Sequence, residues 1–398
     1  MKKIVSLKEV CESDYGVTAS ATEQPTGTHF LRITDIVNFT DYSGVPFIDI
    51  DDEDRRKKLL KQNDIVVART GATVGASHLF RGTEPTVFAS YLVRFRTRTP
   101  DVDPVFVSYV LNSPAWKQFI FANAHSKSAQ PNLSAAAMMD FQFSLPEIRE
   151  QQKIASVLRA LDDKIAANQL AIHKIQELLH AQWHAITNTE VSSTEPISSI
   201  ADVNPRTSKP QSDECSFLEM KDLPEYGLIV DRWGKRETKG GTKFRNGDVL
   251  LARITPCFEN GKMAIVDFLE DDEVGMGSTE YIVFRPKEGI PAAAIHAIIA
   301  SPEFRGFGYK ALTGTSGRQR IAADDLKEIA VPWLSESALT EYRQLADALL
   351  KKATALRNEN QVLARTRDEL LPLLMSGRIT VGEAEEAADV AGTTASES

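Results

Sequence analysis

The sequence predicts an α+β protein with two homologous domains, joined by two long helices that form an antiparallel coiled coil with pseudo-twofold symmetry. Two observations lead to this fold class. Four short strings recur in the same order later in the chain, at offsets of 187, 184, 188 and 186 residues. Each copy also ends in a long stretch with apolar residues at heptad spacing, which is typical of a coiled coil. A repeat period this long indicates two domains rather than a solenoid.

The recurring strings place the elements of each copy. Short β-branched runs next to glycines predict strands, and a helix follows the strands in both copies. The paired strings are residues 30–35 with 217–222, 64–70 with 248–254, 111–114 with 299–302, and 145–146 with 331–332. The predicted order is a first domain over 1–149, a helix over 150–189, a second domain over 190–336, a helix over 337–378 and a disordered acidic tail over 379–398.

The two long helices carry the coiled-coil prediction. In the second helix an apolar residue recurs every seven positions from 342 to 370, and the first has a similar seam. Asn168 and Asn360 are polar residues within these seams. If the helices pair antiparallel with their midpoints aligned, the two asparagines lie opposite each other, and we expect them to fix the register. Packing of each helix against its own domain is the alternative.

Length and composition exclude several classes of protein. The 398 residues are 42% hydrophobic and 25% charged, as in ordinary globular proteins and unlike disordered or fibrous chains. Cys11, Cys215 and Cys257 lie far apart without a C-x-x-C pair, so neither a disulfide framework nor a zinc site is expected. We expect neither a signal peptide nor a membrane span, and hence a cytoplasmic location.

The net charge of −9 argues at face value against a protein that wraps a polyanion. However, the tail over 379–398 holds five carboxylates and no basic residue, so it supplies more than half of that charge. The sign of the net charge therefore does not exclude DNA binding.

Motifs for catalysis are sparse. No G-x-x-x-x-G-K-[ST] loop for a nucleotide phosphate occurs in the sequence. His180 and His184 have the spacing of helical metal ligands but no carboxylate between them, and a solvated helix face is expected instead of a metal site. Asp213 with Glu219 and Lys221 resembles the acid and E-x-K elements of a restriction-type nuclease. A stand-alone metal-dependent nuclease is therefore an alternative function.

Two polar loops that contain arginine occupy equivalent places in the two copies. They are residues 69–73 and 126–132 in the first copy, and 253–256 and 313–320 in the second. Arg, Gln and Asn side chains pair bidentately with guanine and adenine edges, whereas Ser, Thr and Lys bind phosphates. These loops are thus the candidate DNA-reading segments.

The sequence resembles the specificity subunits of type I restriction-modification systems. The strings that carry the resemblance are residues 30–36, 64–75, 145–165, 247–262, 277–286 and 370–381, and with the duplicated layout they cover nearly the whole chain. The first copy has a Glu-Gln-Gln signature at 150–152, whereas residues 335–338 of the second read Ser-Glu-Ser-Ala. Equivalent partner contacts at the two helices are therefore less assured.

The resemblance implies a role and a set of partners. Each domain would be a target-recognition domain that reads one half of a split, asymmetric site in double-stranded DNA, with the helices as a ruler between the halves. The chain would have no catalytic centre and no cofactor of its own. Methylation and cleavage would belong to two methyltransferase (M) subunits, which use S-adenosylmethionine, and to a restriction (R) subunit, which uses ATP and Mg²⁺. No membrane is implied as a partner.

The candidate DNA-binding residues fall into three groups. The first half-site would be read or clamped by Arg69, Thr70, Lys127, Gln130 and Asn132. The second would be read by Arg253, Thr255, Ser316, Arg318, Gln319 and Arg320. Phosphate contacts are expected from Arg55, Lys58, Arg236, Lys239 and Lys243. A scaffold protein whose coiled coil is the functional part is a further alternative.

Overall fold

The computed structural model of the protein describes residues 3–37, 42, 44–124, 131–315 and 317–394. The chain forms two compact units. The first consists of Met1–Asp163 and Leu363–Thr393, and the second of Lys164–Val362 and Thr394–Ser398. This division falls within the two long helices rather than at the predicted domain boundaries, which stay a prediction. Within the described part of the chain, no helix combines the length and apolar character needed to cross a membrane.

The first unit contains a small antiparallel sheet and two further strand pairs. Its strands are β1 (Lys3–Ser6), β2 (Cys11–Tyr15), β3 (His29–Leu31), β4 (Ile65–Ala68), β5 (Ser77–Leu79), β6 (Thr86–Phe88), β7 (Leu92–Thr97) and β8 (Gln142–Leu145). Its short helices are α1 (Leu7–Val10), α2 (Ile33–Val37), α3 (Asp52–Lys58), α4 (Pro104–Val110), α5 (Pro114–Ala124) and α6 (Ala135–Met139). The sheet order is β2-β7-β4-β5, while β3 pairs with β6 in parallel and β1 with β8 antiparallel.

Strand β4 forms the centre of the first unit, as its run of apolar residues predicts. Each of its four side chains is buried. Val66 and Ala68 pack against a cluster that includes Leu31, Phe88 and Leu92. A fully buried apolar strand of this kind fixes where the chain leaves the sheet, and it leaves at the first candidate DNA-reading loop.

The first long helix, α7 (Ile148–Thr189), is anchored at its start by the Glu-Gln-Gln signature. Gln151 is 1% exposed. Its Oε1 accepts a hydrogen bond from the backbone N–H of Asp103 at 2.9 Å, and its Nε2 donates to the carbonyl oxygens of Asp101 and Pro146 at 3.0 and 2.8 Å. This glutamine therefore fastens α7 to the segment before α4, and its side chain is not displayed to a partner. The corresponding stretch of the second copy, residues 335–338, contains no glutamine.

Replacing Gln151 with Ala is expected to lower the free energy of unfolding by about 1–3 kcal/mol, because three buried backbone groups lose their partner. Urea denaturation of the purified chain measures this loss. The neighbouring Gln152→Ala is the matched control: Gln152 is exposed, so its loss should stay within about 0.5 kcal/mol. Equal effects of the two substitutions would contradict the anchoring role.

The second unit repeats the strand pairings of the first. Its strands are β9 (Val191–Pro196), β10 (Ala201–Val203), β11 (Glu214–Leu218), β12 (Gly234–Glu237), β13 (Thr242–Phe244), β14 (Val249–Ala252), β15 (Met263–Ile265), β16 (Gly275–Gly277), β17 (Tyr281–Pro286) and β18 (Ala330–Leu334). Its short helices are α8 (Ile197–Ile200), α9 (Ala292–Ala300), α10 (Pro302–Lys310) and α11 (Ala323–Lys327). The antiparallel sheet β10-β17-β14-β15 corresponds to β2-β7-β4-β5, the parallel pair β11 and β16 to β3 and β6, and β9 with β18 to β1 with β8. Strands β12 and β13 are additions that flank the parallel pair.

The two long helices run antiparallel within the second unit. Besides α7, this unit contains much of α12 (Glu336–Ser376). The Tyr342 hydroxyl donates to the carbonyl oxygen of Leu179 at 3.2 Å, while Asn168 contacts residues later in α12. Asn168 is buried, and its Nδ2 donates to Asn360 Oδ1 at 3.0 Å and to Glu359 Oε2 at 2.8 Å. The two seam asparagines therefore face each other, and their role in fixing the register stays a prediction.

His180 departs from the expected solvated helix face. It packs on α9, where its Nε2 lies 3.0 Å from Nδ1 of His296. His296 is fully buried, and its Nε2 also lies 2.9 Å from the carbonyl oxygen of Gly227. Burial lowers the pKa of His296 to about 3 and also lowers the pKa of His180. The i, i+4 spacing did not reveal this, because it carries no information on which helix packs against that face. His184 is exposed.

The acidic tail contains a helix, α13 (Val381–Thr394), where composition predicts disorder. The helix begins with a capping box. The Glu383 carboxylate accepts from the backbone N–H and hydroxyl of Thr380 at 2.7 and 2.8 Å, and Thr380 Oγ1 accepts from the Glu383 backbone N–H. Ala384 and Ala391 are buried. Disorder was the wrong expectation for this stretch because its alanines favour helix and two of them find a packing surface.

Candidate nucleic-acid interface

The first candidate loop of the first copy lies beside residues 131–133, at the end of the second candidate loop, where β4 ends. The backbone N–H of Arg69 donates to the carbonyl oxygen of Tyr91 at 3.0 Å, and the carbonyl oxygen of Arg69 accepts from Leu133 at 2.9 Å. One step further, the N–H of Gly71 donates to the carbonyl oxygen of Pro131 at 3.0 Å. Loops that are about sixty residues apart in sequence are thus joined through their backbones, and we call this arrangement the first junction.

The second copy builds the same junction with the equivalent residues. The N–H of Arg253 donates to the carbonyl oxygen of Glu280 at 2.9 Å, and its carbonyl oxygen accepts from Ile321 at 3.0 Å. The N–H of Thr255 donates to the carbonyl oxygen of Gln319 at 3.0 Å. We call this arrangement the second junction. In both junctions the arginine directly follows a buried strand, and its backbone N–H and carbonyl oxygen are hydrogen-bonded to two other segments of the chain.

The side chains of the first junction present polar groups at the surface. The Arg69 guanidinium lies 4.8 Å from the centroid of the Tyr15 ring, a cation–π contact. Its Nη2 lies 3.4 Å from Oδ1 of Asn132, which is exposed. Thr70 pairs with Asn132 through a backbone bridge. The candidate residues Lys127 and Gln130 lie outside the residues that the structure describes.

The second junction holds its arginines with a carboxylate. Arg320 Nε and Nη2 donate to Glu280 Oε1 at 3.0 and 2.8 Å, and this hydrogen bonding raises the pKa of Arg320. Arg253 Nε lies 3.7 Å from the other oxygen of the same carboxylate. The Thr255 hydroxyl accepts from the Gln319 N–H at 3.0 Å. Of the remaining candidates, Arg318 is exposed and Ser316 lies outside the described residues.

Most of the predicted phosphate-binding residues are already in ion pairs. Pairs between exposed side chains contribute only about 0–1 kcal/mol, so a phosphate can replace the carboxylate at little cost where both partners are exposed. Lys243 is half-buried on β13. The other four candidates are in ion pairs: Arg55 with Asp52 at 2.7 Å, Lys58 with Asp14 at 2.8 Å, Arg236 with Glu219 at 2.6 Å, and Lys239 with Glu237.

The nuclease-like pattern is not assembled into a metal site within the part of the chain that the structure describes. Glu219 accepts from Lys221 Nζ at 2.9 Å and from Arg236 Nη2 at 2.6 Å. The bond from Lys221 is the main reason why the pKa of Glu219 is lowered. The carboxylate is thus engaged by two cations. No group of three or more His, Cys, Asp or Glu side chains among the described residues is placed to hold a metal ion.

A buried ion pair that sequence reasoning missed braces the strand leading to each junction. In the first copy Asp64 is 1% exposed and accepts from Nε and Nη2 of Arg96, both at 2.6 Å. In the second, Asp248 is also 1% exposed and accepts from the same two atoms of Arg285, both at 2.7 Å. Each aspartate also accepts a backbone N–H from three residues earlier. The available signal was a Phe-Arg pair that recurs in β7 and β17.

Comparison with known proteins bears on the first copy directly. Residues 2–177 match the family model of the type I restriction modification DNA specificity domain. This part, less than half of the chain, therefore resembles the type I restriction-modification specificity family. The match covers strands β1–β8, the first junction and most of α7. The second junction is linked to it by the sequence repeat and by the shared strand order.

Two curated relatives from Escherichia coli agree with this family. The type I restriction enzyme EcoEI specificity subunit is 28% identical over 213 residues, which are 52% of this chain and 34% of that protein. The type I restriction enzyme EcoAI specificity subunit is 30% identical over 181 residues, 42% of this chain and 30% of that protein. The chain thus spans about a third of the length of these relatives.

A solved structure shares the fold over almost the whole chain. The crystal structure of a type I restriction-modification system S subunit from M. genitalium has a TM-score of 0.53 and 13% identity, and the match covers 94% of this chain and 96% of that one. At this identity the likeness concerns the fold alone. It agrees with the predicted fold class, a mixed α and β protein with two long helices.

Proposed function

We propose that this chain is the DNA specificity subunit of a type I restriction-modification complex, in which each copy reads one half of a bipartite, asymmetric site in double-stranded DNA. One observation carries the proposal: two equivalent junctions place an arginine at the same backbone position after the same buried strand. Such an arginine can pair bidentately with guanine O6 and N7. The family match of the first copy supports the same conclusion.

The asymmetry of the site follows from the neighbours of the two arginines. Arg69 has an exposed asparagine beside it, and an Asn side chain suits adenine N6 and N7. Arg253 lies beside Glu280 and Arg320. Two junctions with one backbone design but different side chains would select different bases in the two halves.

The proposal assigns DNA recognition to this chain and the chemistry to its partners. The chain would be non-catalytic and would carry no cofactor. Two methyltransferase subunits with S-adenosylmethionine would modify the site, and a restriction subunit with ATP and Mg²⁺ would cleave DNA. The family of the specificity domain supports this division of labour, which a stand-alone nuclease would not need.

The test is genome-wide mapping of N6-methyladenine in the host with and without this gene. Deletion should remove one bipartite motif. Arg69→Ala should relax one half of that motif, by about 1–3 kcal/mol of discrimination at one base pair, and leave the other half intact. Arg149→Ala, an exposed arginine of the first unit away from the junction, is the control and should leave the motif unchanged. Equal loss in both halves would contradict the modular reading of the site.

A further inference from the structure

Each junction brings together three side-chain positions. Only one of these positions holds the same type of residue in both junctions. In the first junction these positions hold Tyr91, Arg69 and Asn132. In the second, the backbone hydrogen bonds place Glu280, Arg253 and Arg320 at the equivalent points. The arginine after the central strand is shared. The other two positions differ in size, charge and hydrogen-bonding capacity.

The position before β7 and β17 was not among the sequence candidates. Tyr91 and Glu280 precede these strands, and each gives its carbonyl oxygen to the N–H of the junction arginine. Tyr91 is 61% exposed, whereas the side chain of Glu280 is 25% exposed and contacts both arginines of its junction. The same backbone point thus carries a surface aromatic ring in one copy and an arginine-binding carboxylate in the other.

Glu280 controls how Arg320 can meet a base. The guanidinium has five N–H donors in a planar fork. Glu280 takes one from Nε and one from Nη2, and Nη1 donates one to the carbonyl oxygen of Arg318 at 3.4 Å. One N–H of Nη1 and one of Nη2 remain for another acceptor, and the Arg320 side chain is 43% exposed. A guanidinium held in one orientation loses less conformational entropy on binding and discriminates better between bases.

We propose that positions 91 and 280 are specificity-determining residues of the two recognition domains, and that Glu280 acts as a positioning residue that orients Arg320 toward a guanine in the second half-site. This inference rests on the proposed function. In the first domain Tyr91 provides no carboxylate, and the Arg69 guanidinium instead contacts Asn132 Oδ1 and the Tyr15 ring. The difference at this one backbone point contributes to the difference between the half-sites.

Glu280→Gln in the full chain, assembled with its methyltransferase partners, tests the proposal. The amide binds the guanidinium more weakly than a carboxylate does. Discrimination at one base pair of the second half-site should fall roughly tenfold, with the first half-site unchanged. Affinity for non-specific DNA should not fall, because the substitution removes a negative charge. A purely structural defect would lower specific and non-specific binding together.

Glu288→Gln is the matched control. Glu288 is exposed and follows the same strand, β17, at its opposite end, about 20 Å away for six residues of strand. It makes the same charge change and should alter neither half-site. The readouts are the methylation motif in the host and selection from duplexes randomised in the second half-site. An unchanged base preference in Glu280→Gln would overturn the inference.

Two further variants keep the result decisive. If Glu280→Gln fails to assemble, Arg320→Lys retains the charge but not the fork, and it should relax the same base pair; retained preference would overturn the inference. Joint replacement Tyr91→Glu with Asn132→Arg should move the first half-site toward guanine, and an unchanged first half-site would also overturn it. If the wild-type complex selects no sequence at all, the proposed function itself fails. If the wild-type complex selects a motif and the variants select the same motif, only the inference is refuted.

Discussion

Replacing Asp64 with Ala is expected to destabilise the first unit by about 3 kcal/mol or more. Removing one partner of a buried ion pair leaves the other charge without compensation, which typically costs about 3–5 kcal/mol. The lower end applies here, because the Arg96 side chain is 25% exposed and lies 3.7 Å from Glu12, which gives it a second partner. The backbone N–H of Lys61 donates to Asp64 Oδ2 at 2.7 Å, and it also loses its acceptor in this variant.

Urea denaturation monitored by circular dichroism measures this effect. Asp49→Ala is the control, because Asp49 is an exposed carboxylate of the same unit and its loss should change stability by less than about 0.5 kcal/mol. The strand that Asp64 braces ends at Ala68, directly before Arg69, so under the proposed function a folded Asp64→Ala complex should also lose discrimination in the first half-site. Comparable stability of the two variants would show that the buried pair contributes nothing beyond a surface charge.

The repeat in the sequence was sufficient to predict a buried strand in each copy and the polar loop that follows it. The strings 64–70 and 248–254 contain the central strands β4 and β14, whose side chains are buried throughout. Residues that make up a core strand must keep their apolar character, so the duplication is still visible there. The arginine near the end of each string, Arg69 or Arg253, is carried along at the same offset.

The residues that distinguish the junctions could not be predicted in this way. Tyr91 and Glu280 share no chemistry, and their offset of 189 differs from the 184 between Arg69 and Arg253. Only the backbone hydrogen bonds show that they are equivalent. Loops tolerate insertions and changes of side chain. The sequence similarity between the two copies is therefore lost at the positions that would determine specificity.

Burial was the second property that the sequence left open. The Glu-Gln-Gln signature lies at the start of a predicted helix and is polar, which favours a surface role, yet Gln151 is buried and binds three backbone groups. Likewise His296 lies within an apolar helix, and nothing in its neighbours predicts that it would meet His180. A polar residue is buried when distant backbone groups satisfy its hydrogen bonds, and those groups are known only from the fold.

Replacing Arg357 with Met should weaken the attachment of α12 to the rest of the second unit. Arg357 is 3% exposed; its Nη1 donates to Asp267 Oδ1 at 2.5 Å and to the carbonyl oxygen of Val230 at 3.1 Å, and its guanidinium lies 5.2 Å from the centroid of Trp233. Without the arginine, the Asp267 carboxylate keeps only the hydroxyl of Thr354, at 2.7 Å, as a side-chain donor. A loss of about 3–5 kcal/mol at neutral pH is expected.

The pH dependence of this loss distinguishes an uncompensated charge from a simple packing defect. Burial raises the pKa of Asp267, and loss of Arg357 removes the main opposing influence, so the pKa in the folded variant rises further. Between the unfolded value of about 3.9 and this raised pKa, the folded state binds more protons than the unfolded chain, and stability therefore increases as the pH falls through that window.

The deficit of Arg357→Met relative to the wild type should consequently be largest at pH 7 and smaller at pH 5. Adding Asp267→Asn should recover part of the stability at pH 7 and weaken this dependence, because the carboxylate that Arg357 contacts is gone; Asp231, whose pKa is also raised by burial and lowered by Arg357, accounts for the remainder. Lys352→Met, which removes an exposed cation from the same helix, should show neither effect. A deficit that is equal at both pH values would mean that Arg357 stabilises the helix through its contact with Trp233 and through packing, not through its charge.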